Sequence, residues 1–154
     1  MKILIKCICA LAFVGAGSLI FLLISNWKDG SPIIVLSAWC LIFLLGVAQL
    51  SGALLAFQES RLGTSFLIAS YICQIIALGH EGFAYLVTTG PYLGLKYDAI
   101  SNHISIEASP FQIAYKVEFS ADYSFTSINL TAIFIISILL SEAYLITSPL
   151  VKKG

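Results

Sequence analysis

The chain has 154 residues, of which 59% are hydrophobic and only 10% charged, with a formal net charge of zero and a mean hydropathy of +0.97. A water-soluble fold cannot cover its surface with so few polar side chains, and without a basic patch the chain offers nothing to nucleic acid. Asp, Glu, Lys and Arg are missing from 7–27, 30–58, 62–80 and 123–141, each close to the length that crosses a hydrocarbon core as a helix, about 20 residues.

Backbone groups in lipid must pair internally, so spans are helices or strands of a closed barrel, and four strands are too few to close one. The sequence therefore predicts an all-α membrane protein: one domain over 1–154, a bundle of four transmembrane helices with an extracytoplasmic loop of about 40 residues. Span one is expected at about 7–26; its apolar run continues well past Val14, Gly15 and Ala16, which argues for an uncleaved helix over a secretory signal. Asn26 to Pro32 form a short connector, and span two runs over 33–57. Gln58 to Arg61 make a tight reversal into span three at 62–87, although Gly79, His80, Glu81 and Gly82 interrupt its apolar run. The outer loop covers 88–127 and holds Gly90, Pro91, Gly94, Pro110 and half of the acids, Asp98, Glu107, Glu118 and Asp122. Within it Ile104, Ile106 and Ala108, and then Ile113, Tyr115, Val117 and Phe119, alternate with smaller or polar residues, with Ser109, Pro110 and Phe111 between. That is the pattern of a β-hairpin. Span four is expected at 128–146.

Basic residues set the orientation. Lys2, Lys6, Arg61, Lys152 and Lys153 fall on one side, and Lys28, Lys96 and Lys116 on the other. Both termini and the second connector are thus expected in the cytoplasm, in a multi-pass plasma (inner) membrane protein.

Polar residues inside spans are the first candidates for function. Glu142, Gln49 and Gln74 form a candidate intramembrane polar site. Glu142 serves there as a proton or cation site, or else reaches the cytoplasmic interface; the amides either bond between helices or line a path. His80, Glu81 and His103 form a candidate outer-face site, which falls short of the ligand number and spacing of a zinc or copper centre. Rows of small residues, Ala48, Gly52 and Ala56 in span two and Ser65, Ala69, Cys73 and Ala77 in span three, are expected to let these helices pack closely. The four cysteines read as apolar thiols. Asn129 begins a glycosylation sequon at a membrane boundary, where enzyme access is poor.

The layout of short connectors and one large outer loop between spans three and four resembles that of the tetraspanins, but their Cys-Cys-Gly loop motif has no counterpart here. In size the chain resembles the membrane glutathione-transferase and leukotriene-synthase family, yet span two lacks that family's arginine and asparagine. With no catalytic constellation and no cofactor motif, the expectation is a non-catalytic membrane protein. It would bind other membrane subunits or its own copies, through Phe111, Tyr115 and Phe119 of the loop, as an accessory subunit or an immunity-type factor. The alternatives are a small transporter or channel component and an enzyme of lipid or quinone chemistry.

Overall fold

The computed structural model describes residues 2–26, 33–80, 83–118 and 124–147. In chain order it contains α1 (Lys2–Ser25), α2 (Ile33–Phe57), α3 (Arg61–Ile72), β1 (Ile76–His80), β2 (Phe83–Asp98), β3 (His103–Glu118), β4 (Phe125–Asn129) and α4 (Leu130–Thr147).

The expectation of an all-α bundle of four spans is overturned. Among the described residues four helices share the chain with a four-stranded antiparallel sheet. Among the described residues only Lys2–Ser25 and Leu36–Phe57 are long and apolar enough to cross a membrane. The expected third span stops early, because α3 has 12 residues and rises about 18 Å. The rest of 62–87 is turn, β1 and the start of β2, and the expected loop of 88–127 is mostly strand. The cause lies in the side chains. Over 76–90 large residues alternate with small ones (Ile76, Ala77, Leu78, Gly79; Phe83, Ala84, Tyr85), and aromatic and β-branched residues are frequent, which suits a pleated ladder better than a helix. The segment at 109–111 is not a hairpin tip. β3 continues through it, bending with β2, and the tip is the connection after Asp98, where Asp98 pairs with His103 and Asn102 takes φ 52°.

Strand order is β1-β4-β2-β3, with β1 also paired to β2. β1 is antiparallel to both β4 and β2, and β2 is antiparallel to β4. These relations hold together only if the two ends of β2 run in opposite senses. The strand folds back at 90–92, where Gly90 has φ 109° and the register on β3 slips: Gly90 pairs with Gln112 but Tyr92 with Ser109. One residue of β2 thus faces two of β3, a β-bulge, which sharpens the bend. The result is a curled, up-and-down arrangement in the order β3 (112–118), β2 (83–90), β1, β4, β2 (92–98), β3 (103–109).

The faces of this sheet follow from register. The inner face carries Ala77, Gly79, Ala84, Tyr92, Gly94 and Ser127, all buried. Tyr92 lies across Gly94, where any Cβ would strike its ring, and bonds Ser127 Oγ at 2.8 Å. The outer face carries the row Ile76, Ile128, Leu95, Ile106 and, next to it, Leu78, Thr126, Tyr97, Ile104.

α1 and α2 pack against each other, and the start of α1 meets the end of α2: Lys2 Nζ lies 3.0 Å from Glu59 Oε1, and Lys6 Nζ sits 5.5 Å from the Phe57 ring centroid. α2 and α3 touch backbone to backbone, since a Cβ on Gly63 would collide with the Ala56 nitrogen and one on Gly52 would come 2.9 Å from Phe66 Cβ. Two apolar cores result. Ile8, Cys9 and Ala12 of α1 join Ala53, Ala56, Leu67, Tyr71, Ala132, Ile135 and Leu139 in an all-helical core. Leu19 and Leu23 of α1 join Ile42, Val87 and their neighbours where the helical pair lies on the sheet.

Candidate functional site

Between these two cores lies a knot of buried polar groups. One edge of β2 is paired to β3 along its length, while on the other edge β1 covers only 83–85 and β4 only 94–98. In the gap a side chain takes the place of a strand. Gln74, just beyond α3, accepts the Thr89 backbone N–H at Oε1, 2.9 Å away. Gln74 Nε2 donates to Gln49 Oε1 of α2 at 3.1 Å and, at greater length, to Ser70 O at 3.4 Å. The Thr89 hydroxyl lies 2.9 Å from Gln49 Oε1 and 3.2 Å from Gln74 Oε1; its one proton serves the nearer acceptor. α1 closes the site from outside the sheet, because Gly15 rests on Thr89 so closely that a Cβ would lie 3.1 Å from Thr89 Cβ.

Gln49 is 0% exposed, and Ser70, Gln74, Thr88 and Thr89 are buried with it. Gln49 Nε2, Thr88 Oγ1 and Tyr71 OH have no hydrogen-bond partner among the described residues. An unpaired buried group of this kind costs about 1–3 kcal/mol. Amides and hydroxyls do not titrate near neutrality, so the cluster cannot pass protons by changing charge. Its geometry ties α2, α3 and β2 together.

The sequence candidates divide accordingly. Gln49 and Gln74 meet in this cluster. Glu142, half-buried, is 13 residues beyond Asn129, about 20 Å further along α4. His80 and His103 stand on opposite faces of the sheet: His80 shares the register parity of Leu78 on the outer face, and His103 pairs with Asp98, whose other neighbour Phe125 pairs with inner-face Gly79. Glu81 lies outside the described residues. Among those described, no group of three His, Cys, Asp or Glu could hold a metal ion. Phe111 is exposed at the bulge, Tyr115 packs edge-on against Trp39 with centroids 6.1 Å apart, and Phe119 lies outside the described residues. Gly52 and Ala56 are buried against α3 and Ala48 is half-buried; Ser65, Ala69 and Cys73 are exposed, and Ala77 belongs to β1.

Sequence reasoning missed Thr89 and the role of Asn129. Asn129 caps α4, its Oδ1 accepting the Ala132 N–H at 3.2 Å, while its own N–H donates to Ile75 O at 2.7 Å. The signal for a cap was an Asn directly before an apolar helical run. For Thr89 there was none. Compared with known protein families, curated proteins and solved structures, the chain matches none.

Proposed function

We propose that the protein is a multi-pass integral membrane protein without chemistry of its own, and that it works by binding another membrane protein, as an accessory subunit or an immunity-type factor. The membrane part of this reading rests on the outside of the molecule. Ile3, Phe13, Phe21 and Ile24 of α1 and Leu41, Leu44 and Leu54 of α2 are exposed, and water would not tolerate so continuous an apolar exterior on paired helices. Lys2, Lys6 and Arg61 lie at the end where α1 begins and α2 ends, which by the distribution of basic residues is the cytoplasmic end. α4 leaves the sheet and runs back along α3 into the core that holds Ile8, so α1 starts at, and α4 heads toward, that end.

The partner reading is carried by one observation, the free edge of β3. Among the described residues β3 pairs with β2 alone, so its far edge has no strand beside it over 103–118. Exposed edges are usually blunted by charge, proline or brevity; this one carries Glu107, Pro110, Lys116 and Glu118 but is 16 residues long. A strand or extended segment from another protein would complete it by main-chain bonding. The amides that could have lined a transport path are instead bonded to one another and to Thr89, which favours contact over conduction.

The test places a photoreactive amino acid at Ser105, Glu107 or Ser109 in the native membrane and identifies what crosslinks. A single stoichiometric membrane protein supports the reading. Absence of any crosslinked protein, with intact expression and fold, would refute it.

A further inference from the structure

The sheet is inverted with respect to water. Its inner face holds mainly small and polar residues, with the buried Tyr92–Ser127 bond and, toward the tip, the partly exposed Lys96–Glu107 ion pair at 3.2 Å. Its outer face holds the large apolar residues, and beyond the part covered by α1 and α2 these stand open: Ile76 is 50% exposed, Ile104 63% and Ile106 72%. A sheet that floats in water buries its apolar face and wets the other. A sheet that faces lipid does the reverse.

We infer that the open outer face of this sheet, the row Ile76, Ile128, Leu95 and Ile106 with Tyr97 and Ile104 beside it, lies against lipid acyl chains in the outer half of the bilayer. This rests on the reading of α1 and α2 as membrane-spanning, and three further observations select lipid as the occupant.

The first is depth. Gly15, which touches Thr89 and Gly90 at the fold-back, lies ten residues before Ser25, so the base of the sheet sits about 15 Å inside that end of α1. α3 gives the same level from the other side, since its 12 residues carry β1 to about 18 Å above the α2–α3 connector. The five residues of β1 then climb about 16 Å, which brings the sheet to the level where α1 ends.

The second is continuity. The chain enters this face from Ile72 of α3 and leaves it into Leu130, Ile133 and Phe134 of α4, all exposed, so sheet and helices share one uninterrupted apolar exterior.

The third is the order of residues up the face. Aliphatic Ile76, Ile128 and Leu95 lie lower; above them is Tyr97, whose hydroxyl donates to Asn102 Oδ1 at 2.9 Å beside the Asp98 turn. An aromatic ring with its polar tip turned toward the loop marks the membrane–water boundary.

The experiment uses the full-length chain in lipid nanodiscs, with its cysteines replaced by alanine and single spin labels at Leu95, Ile106 or Ile128. Collisions with oxygen, which dissolves in acyl chains, are compared with those of a water-soluble nickel chelate. Labels at Phe21 and Leu54 report the helices, and a label at Ser101 reports the tip. Oxygen should dominate at Leu95, Ile106 and Ile128 to the same degree as at Phe21, and nickel at Ser101. Nickel dominating on the sheet while oxygen dominates on the helices would overturn the inference and leave the membrane reading standing. Protection from both reagents would also overturn it, since protein and not lipid would then cover the face. Nickel access at Phe21 and Leu54 would remove the membrane reading itself. A parallel measurement on the unaltered chain, carbene labelling from an acyl-chain diazirine, should modify 93–97 and 104–106; labelling confined to the helices would overturn the inference.

Discussion

Replacing Gln74 by leucine should be far more damaging than replacing Gln49, although both are buried amides in the same cluster. Without Gln74, the Thr89 N–H loses its acceptor at 2.9 Å, and among the described residues no strand stands beside it there. A backbone donor cannot be mutated away, so the change leaves an orphan in a dry site, worth about 2–3 kcal/mol. Gln49→Leu removes a side chain whose Nε2 is already unpaired, and both groups it served have a second acceptor: Gln74 Nε2 has Ser70 O at 3.4 Å, and the Thr89 hydroxyl has Gln74 Oε1 at 3.2 Å. Its cost should stay below about 1 kcal/mol, since the lost bonds are partly replaced and one orphan disappears. For a chain of this size the difference, about 2 kcal/mol, amounts to roughly 4–8 °C in melting temperature. Trp39, packed on Tyr115 where the helices meet the sheet, provides the fluorescence readout in detergent. Equal losses for the two variants, or a greater loss for Gln49→Leu, would refute the bonding scheme.

Other outcomes follow from the same geometry. Gly63→Ala should abolish the α2–α3 contact, because the added methyl meets the Ala56 backbone, whereas Gly17→Ala, with nothing within 4 Å, should be neutral or stabilise α1 by up to about 1 kcal/mol; melting of the purified variants separates them. Glu59→Gln removes the carboxylate of the exposed pair with Lys2 and should change stability by less than about 1 kcal/mol, with a larger loss pointing to a buried role. The Ile100 and Ser101 N–H groups, 2.9 and 3.1 Å from Asp98 Oδ1, hold that carboxyl below its usual range. Since the folded value is depressed, the support it lends the turn is complete above the ordinary carboxylate range and fades as pH falls through the lowered value. Amide exchange at 100–101, corrected for its intrinsic pH dependence, should accelerate in acid, and Asp98→Asn should hold the turn and remove that dependence.

Only the helical part of this architecture was legible in the amino-acid order, and the sheet was misread for a definable reason. The boundaries of span two agree with α2 to the residue, because Pro32 and Gln58 bracket an apolar run too long for anything but a helix. α3 and β1 were merged because both are apolar, and a polarity pattern carries no information where neither face of a segment meets water. What changes at Cys73 is the period of side-chain size, from helical to alternate, and that signal is present in Ile76, Ala77, Leu78 and Gly79. Gln49 and Gln74 were recognisable as polar residues needing partners. Thr89 was not, since its part depends on a gap in strand pairing that arises only from the fold-back of β2.

That gap also accounts for why polar residues stand in apolar segments at all. A helix that turns into a strand inside an apolar surrounding exposes carbonyls at its end and edge N–H groups beyond it, and each is costly if left unpaired. At the end of α3 these are met one by one. Ser70 O receives Gln74 Nε2, Cys73 O receives the Tyr85 hydroxyl at 2.7 Å, and Ile75 O receives the Asn129 N–H at 2.7 Å. Thr89 N–H then finds Gln74 Oε1, and the return into α4 is capped by Asn129 itself. Polar groups at membrane depth are by default candidates for transport or proton relay. Here Gln74, Tyr85 and Asn129 each satisfy a backbone group at the junction of helix and sheet, and Gln49 braces Gln74, which satisfies two of them. The surfaces left for recognition are therefore outside this junction: the outer face of the sheet, which suits lipid, and the edge of β3, which suits another chain.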